Sequence, residues 1–113
     1  MKQELIEKNI DNLNDNGIEI QIDVWIEELS ELIKELCKAQ RHFKKYKNWC
    51  LPFLLVNNIK LETTDVQVAA DQIKEFFDYS LSQQEMDYEY KVNRTRELIE
   101  EEKKKNEISS SSN

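Results

Sequence analysis

The stretch IQIDVWIEELSELIKELCKAQRHFKKYK, residues 20–47, decides the fold of this chain. It contains no glycine and no proline, and its apolar residues recur three and four positions apart, which is the spacing of one face of an α-helix. The pattern predicts one long amphipathic helix over residues 20–47. The members of its apolar stripe are Ile22, Trp25, Ile26, Leu29, Leu32, Ile33 and Leu36.

Helical patterns on both sides of this stretch predict three further helices. The first is short, covers residues 3–14, and is ended by the turn residues that precede Gly17. The next covers residues 60–79, and the last begins at a serine cap and runs to about Glu102. Either Ser80 or Ser82 can supply that cap, and Ser82 with Glu85 has the capping-box spacing.

Two segments depart from the helical pattern. Isoleucine and valine alternate with polar residues over 18–24, which is compatible with a short strand before the long helix. Residues 49–58 combine Pro52 with a bulky apolar cluster and are expected to form a connector packed on the core, with or without a helical turn, ended by Asn57 and Asn58. The fold class that follows is an all-α bundle of about four helices, with residues 1–102 as one helical domain and 103–113 as a disordered polar tail.

Composition excludes several classes of function. The chain has 113 residues with a single glycine and a single proline, so it has no glycine-rich phosphate loop and no dinucleotide fingerprint. Its one histidine, His42, excludes two-histidine metal motifs, which leaves carboxylates as the carriers of chemistry. A net charge of −7 argues against nucleic acid as a partner. No stretch is apolar enough to span a membrane, so neither a membrane partner nor a location outside the cytoplasm is expected.

The two cysteines, Cys37 and Cys50, are too far apart in sequence for a close-spaced metal motif. They leave one disulfide or two free thiols as alternatives, and two buried free thiols are the expectation for a cytosolic chain.

Two carboxylate motifs stand out in the predicted helices. Residues 27–31 read EExxE and residues 62–65 read ExxD, while a second ExxD occurs at residues 75–78. On a helical wheel, Glu62 falls inside the apolar arc of its helix, whereas Glu75 faces away from it. A carboxylate in an apolar stripe costs several kcal/mol unless it is paired, protonated or bound to a metal. The wheel therefore favours residues 62–65 over residues 75–78 as a functional motif.

Residues three positions apart lie side by side on a helix, so Glu28 with Glu31 and Glu62 with Asp65 form two carboxylate pairs on two helices. If the helices pack antiparallel, the pairs offer the hard oxygen donors that Mg²⁺ prefers, and Mg²⁺ also binds substrate phosphates. The alternative is ordinary surface charge with one satisfied core glutamate.

The segment EELSE of residues 27–31, a gap of 30 residues and the segment ETTDV of residues 62–66 resemble the EExxE…ExxD signature of the MazG-like nucleotide pyrophosphohydrolases. The resemblance covers roughly residues 20–80, with a looser echo in residues 91–94. It implies an all-α enzyme that hydrolyses nucleoside triphosphates to the monophosphate and pyrophosphate with Mg²⁺, as a dimer or tetramer. Thr63 and Thr64 depart from the apolar and small residues usual before the aspartate, and the connector of residues 49–58 has no counterpart that we can place.

The resemblance also implies roles for individual residues. Glu27 would be peripheral or bind a further ion, and Glu31 or Glu35 would accept the proton of the attacking water. The implied metal ligands are Glu28, Glu31, Glu62 and Asp65. The cations expected to bind phosphate are Lys38, Arg41, Lys91 and Arg94, of which the last two rest on the resemblance alone.

The competing interpretation is a non-catalytic helical module for protein–protein interaction. Either function is compatible with a homo-oligomer, a homodimer or a homotetramer, because about 100 ordered residues cannot bury all the large apolar side chains of this chain. The side chains in question are Trp25, Trp49, Phe53, Phe76 and Phe77.

Overall fold

The computed structural model describes residues 1–111 and contains four α-helices with no strand in that range. The helices are α1 (Gln3–Asn16), α2 (Ile18–Tyr46), α3 (Phe53–Phe76) and α4 (Leu81–Ser111). The expected all-α class with four helices is confirmed. The chain divides into two compact units, of which the first is Met1–Phe77 and the second begins at Asp78.

Gly17 joins α1 directly to α2. Its φ of 83° lies in the region that L side chains rarely adopt, and its N–H donates to the Leu13 carbonyl at 2.9 Å, which closes α1. The Gly17 carbonyl then accepts the first helical hydrogen bond of α2 from the Gln21 N–H at 3.1 Å. The short strand considered for residues 18–24 is therefore absent. The alternation of apolar and polar residues over 18–24 is not that of a strand, because the polar residue Gln21 faces inward and is only 4% exposed.

The connector between α2 and α3 is shorter than the sequence indicated. α2 ends at Tyr46, Lys47 adopts the left-handed conformation, and its N–H donates to the Phe43 carbonyl at 2.7 Å. α3 begins at Phe53 and includes Asn57 and Asn58, so the prediction of a connector over residues 49–58 was wrong. The reason is that Pro52 precedes the helix instead of interrupting it, and its carbonyl accepts the first helical hydrogen bond.

The core of the first unit is small and lies where the first three helices meet. Leu13 of α1, Trp25 of α2 and Ala69 of α3 form it, with Ile18 and Ile73 packed at its edge. Of the predicted apolar stripe of α2, only Trp25 is buried, while five of its members are 41–61% exposed. Those five are Ile22, Ile26, Leu29, Ile33 and Leu36.

A polar network takes much of the space that an apolar core would fill. Gln72 of α3 is 4% exposed, and its side-chain oxygen accepts hydrogen bonds from Gln21 Nε2 at 2.7 Å and Trp25 Nε1 at 2.8 Å. Its amide nitrogen donates to the backbone and side-chain oxygens of Asn9 at 3.0 and 2.8 Å. The Gln72 side chain thus links α1, α2 and α3, and both its amide oxygen and its amide nitrogen make two hydrogen bonds each.

The second unit is built on α4. The Ser80 hydroxyl accepts the Gln83 N–H at 3.3 Å, so Ser80 is the cap. α4 continues to Ser111, and the prediction of a disordered tail is corrected for residues 103–111, while residues 112–113 lie outside the described residues. Glu100 and Glu101 precede Lys104 and Lys105 by four positions, a spacing that favours a helix, and Glu100 itself pairs with Arg96 at 3.3 Å.

The two cysteines are free, as expected, but both are exposed, so the prediction of buried thiols was wrong. Within residues 1–111, no helix combines the length and apolarity that crossing a bilayer requires.

Candidate metal centre

Three carboxylate side chains of the first unit converge on one point. Glu28 of α2 and Glu62 and Asp65 of α3 each offer an oxygen, and these three oxygens all lie within 4.8 Å of one another. Glu28 and Glu62 are half-buried and Asp65 is exposed. The group is therefore open to solvent on the Asp65 side and enclosed by the helices on the other.

The antiparallel packing of α2 against α3 brings the three together. Trp25 meets Gln72 near the start of α2, and Glu28 meets Asp65 one turn further along, so residue numbers fall along α3 as they rise along α2. The face of α2 turned to α3 carries Gln21, Trp25, Glu28, Glu35 and Ala39. Glu28 and Glu35 thus lie on the face of α2 that packs against α3, next to the apolar stripe.

The environment of the cluster favours protonated carboxyl groups. Burial raises the pKa of Glu28 above its ordinary value, and the Asp65 charge, a hydrogen bond with the Asp65 side chain and the charge of Glu62 raise it further. Burial also raises the pKa of Glu62, followed by the charges of Asp65 and Glu31. Negative charge is concentrated here without an equal number of cations, which is the condition that a bound divalent cation relieves.

Two carboxylate oxygens in this region lack any hydrogen-bond partner. They are Oε2 of Glu62 and Oε2 of Glu35, and both atoms are buried. Among the described residues, no ion pair involves Glu28, Glu62 or Asp65. A buried carboxylate oxygen without a partner is costly, so these atoms fit a ligand that accepts lone pairs.

The two remaining glutamates of the predicted site differ in their surroundings. Glu31 is half-buried and lies outside the group of three, although its charge contributes to the raised pKa of Glu62. Glu35 is 7% exposed, and its Oε1 accepts a charged hydrogen bond from Lys38 Nζ at 2.9 Å. The Glu35 charge also contributes to the raised pKa of Glu62, and Glu35 is more deeply buried than Glu31.

The predicted phosphate-binding cations are divided between the two units. Lys38 is engaged with Glu35, whereas Arg41 is exposed near the end of α2. Lys91 and Arg94 belong to the second unit, where Lys91 lowers the pKa of Asp87 through its charge and Arg94 lies 3.6 Å from Glu97.

Residues that the sequence assigned to other roles occupy other places. Glu75 is exposed near the end of α3, and Asp78 is exposed in the following turn with a φ of 52°. His42 is half-buried with its ring 4.6 Å from the ring of Tyr46, and its Nδ1 has no hydrogen-bond partner.

The donor set suits a hard cation. Three carboxylates from two helices, with Glu31 and Glu35 beside them, supply only oxygen ligands, and Mg²⁺ binds through a few carboxylates while retaining waters. Sequence reasoning had not singled out Glu35 as the deepest carboxylate. The available signal was its position seven residues after Glu28, which puts both on one helix face.

No family model, no curated protein and no solved structure matches this chain, so the carboxylate cluster and the motif spacing are what point to a function.

Proposed function

We propose that this protein is a Mg²⁺-dependent nucleotide pyrophosphohydrolase that converts a nucleoside triphosphate to the monophosphate and pyrophosphate. The observation that carries the proposal is the convergence of Glu28, Glu62 and Asp65 within 4.8 Å without an ion-pair partner among the described residues. The resemblance to MazG-like enzymes supplies the reaction, because it involves the same three positions.

Glu28, Glu62 and Asp65 would hold the cation, and Glu31 would join them from the next turn of α2. Bound Mg²⁺ would neutralise the charge of the triphosphate and lower the pKa of a nearby water. The unpartnered Oε2 of Glu62 supports this assignment, because it is a buried acceptor that the protein itself leaves unused.

The reaction requires water to attack the α-phosphorus, the bond between that phosphorus and the α,β-bridging oxygen to break, and a carboxylate to take the proton of the water. Glu31 is the better candidate for the proton acceptor, because Glu35 already accepts a charged hydrogen bond from Lys38. Lys38 would then orient Glu35, and Arg41 remains as the phosphate-binding cation of α2.

A non-catalytic interaction module is the second candidate, and the exposed apolar stripe of α2 favours it. The two functions are compatible, since we also propose that the protein works as a homodimer or homotetramer in the cytosol. Its small core of Leu13, Trp25 and Ala69 leaves most of its large apolar side chains exposed, and self-association would cover part of them.

The deciding experiment measures pyrophosphate release from a panel of ribonucleoside and deoxyribonucleoside triphosphates, with Mg²⁺ and with a chelator. We expect Mg²⁺-dependent release from at least one member and its loss in Glu62→Gln and Asp65→Asn. Glu75→Gln is the matched control, because Glu75 is an exposed glutamate of the same helix, and it should retain the wild-type rate. Release that persists with the chelator, or full activity of Glu62→Gln, would refute the proposal.

A further inference from the structure

The outer face of α2 carries an apolar stripe that its own unit does not cover. Its members are Ile22, Ile26, Leu29, Ile33 and Leu36, and each is 41–61% exposed. Their spacing alternates between four and three residues, which is the repeat of a coiled-coil seam. The stripe extends over about 21 Å of helix at 1.5 Å per residue, which is enough for two full heptads of contact.

The charges of α2 are divided between its two ends. Its first half contains Glu19, Asp23 and Glu27 and has no basic residue before Lys34, whereas no acidic residue follows Glu35 in this helix. Beside the stripe, Glu19 lies seven positions before Ile26 and Lys44 lies eleven positions after Ile33, which are close to two and three whole helical turns, so both are on the same edge of the seam. Both are exposed, and neither has an ion-pair partner among the described residues.

We propose that this face is the contact surface for a second copy of the chain and that the two α2 helices pair antiparallel. Antiparallel pairing lays the acidic half of each helix beside the basic half of the other. Parallel pairing would instead put acid beside acid and base beside base, which is unfavourable. This inference rests on the proposed self-association and is independent of the proposed catalysis.

The sequence also selects a register. In an antiparallel seam centred near residue 31, Ile26 packs against the partner subunit's Leu36 and Leu29 against the partner subunit's Ile33. Glu19 then lies within about 1.5 Å, along the helix axis, of the partner subunit's Lys44, and the two-fold symmetry repeats this ion pair. Shifting the seam by one heptad step would move these two charges about 10 Å apart along the axis.

The first test uses the oligomeric mass, measured by light scattering at micromolar concentration. We expect a dimer or a larger even assembly for the wild type and a monomer for Ile33→Asp. Ile20→Asp is the matched control, because Ile20 is 57% exposed on the same helix but lies outside the stripe, whereas Ile33 is 61% exposed within it. A monomeric wild type, or an Ile33→Asp variant with unchanged mass, would overturn the proposal, the latter by showing that something else covers the stripe.

Charge reversal tests the ion pair. Glu19→Lys and Lys44→Glu alone should each weaken the dimer, with the dissociation constant raised several-fold, and the double variant Glu19→Lys with Lys44→Glu should recover it. Recovery is the distinguishing readout, because two unrelated surface changes would add their effects. A double variant that is weaker than both single variants would refute the Glu19–Lys44 contact.

Crosslinking tests whether the two α2 helices pair antiparallel or parallel. With Cys37 and Cys50 both replaced by serine, Ser30→Cys should link two subunits through a short bismaleimide, since residue 30 lies next to the proposed two-fold axis. Cys37 alone should not link, because its two copies would be about 18 Å apart along the helices. Efficient linking through Cys37 instead of Ser30→Cys would establish parallel pairing and overturn the proposal. Pyrophosphate release by the wild type is scored separately, so a failed interface does not count against the catalytic site.

Discussion

Glu28 of α2 and Asp65 of α3 bring carboxylate oxygens within 4.8 Å of each other. Burial and the nearby Asp65 side chain raise the pKa of Glu28, so Glu28 keeps its proton to a higher pH than an ordinary glutamate does. A divalent cation would replace that proton, because it binds both groups in their charged form.

Mg²⁺ binding should therefore release protons. Since the pKa of Glu28 and that of Glu62 are both raised, metal affinity is expected to fall as the pH is lowered through these pKa values and to level off above them. Calorimetric titration with Mg²⁺ in two buffers of different ionisation enthalpy, at several pH values, measures the number of protons released. Glu75→Gln should give wild-type values, and an affinity that does not change with pH would show that no protonated carboxyl group competes with the cation.

Glu62→Gln should make the metal-free protein more stable while removing its response to Mg²⁺. The substitution removes one charge from a crowded acidic group, so we expect the melting temperature without Mg²⁺ to rise by a few degrees. In the wild type, the raised pKa makes the same repulsion disappear as the pH falls through that pKa, so stability should increase there. Thermal unfolding with and without Mg²⁺, compared with Glu75→Gln, measures both effects. A variant less stable than the wild type would show that Glu62 is needed for the fold.

The sequence predicted the helices of this fold better than it predicted which of their faces are buried. Long runs without glycine or proline made the helices evident, and the motif spacing predicted the approach of Glu28, Glu62 and Asp65. Only Trp25 of the predicted α2 stripe is buried, and the sequence could not show this, because periodicity identifies an apolar face but not the surface that covers it. The end of α4 was placed too early, because low-complexity composition was given more weight than the Glu–Lys spacing.

The buried glutamines were beyond sequence reasoning for a different reason. Gln21 and Gln72 resemble surface residues by type, and their hydrogen bonds to each other, to the Trp25 indole, to Asn9 and to Asn16 make their burial favourable. Such a network depends on three helices meeting in one register, and no local pattern encodes that register.

Gln72→Leu should destabilise the first unit strongly. The change leaves two buried donors, the Trp25 indole N–H and the Gln21 amide, without their common acceptor. Each unsatisfied buried donor costs about 1–3 kcal/mol, so we expect the free energy of unfolding to fall by roughly 3 kcal/mol. Urea unfolding followed by Trp25 fluorescence, in a Trp49→Phe background, measures it. Gln67→Leu is the matched control, because Gln67 is an exposed glutamine of the same helix, and its effect should stay within about 0.5 kcal/mol. An equal effect of the two substitutions would show that the network contributes nothing.

In the second unit, a phenol–carboxylate contact fixes the turn before α4. The Tyr79 hydroxyl donates to Asp87 Oδ2 at 2.5 Å, and Gln83 Nε2 donates to Asp87 Oδ1 at 2.8 Å. These two hydrogen bonds lower the pKa of Asp87, and the bond to Asp87 is the main reason that the pKa of Tyr79 is raised above its ordinary value of 10.0. The contact therefore requires a charged Asp87 and a neutral Tyr79.

The stability that this contact contributes should be lost at both ends of the pH scale. It is present above the ordinary pKa of Asp87, 3.8, and is lost as the pH falls through the lowered value. It is also present below 10.0 and is lost as the pH rises through the raised pKa of Tyr79. Tyrosinate absorbance measures the second limit directly: among the four tyrosines, one should ionise at a higher pH than the rest. Tyr79→Phe should remove the ionisation at high pH, and Asp87→Asn should move it to the ordinary pH range of a tyrosine. Tyr88→Phe is the control, because Tyr88 is an exposed tyrosine of α4, and it should leave the high-pH ionisation in place. A high-pH ionisation that survives in Tyr79→Phe would assign the shifted phenol to another residue.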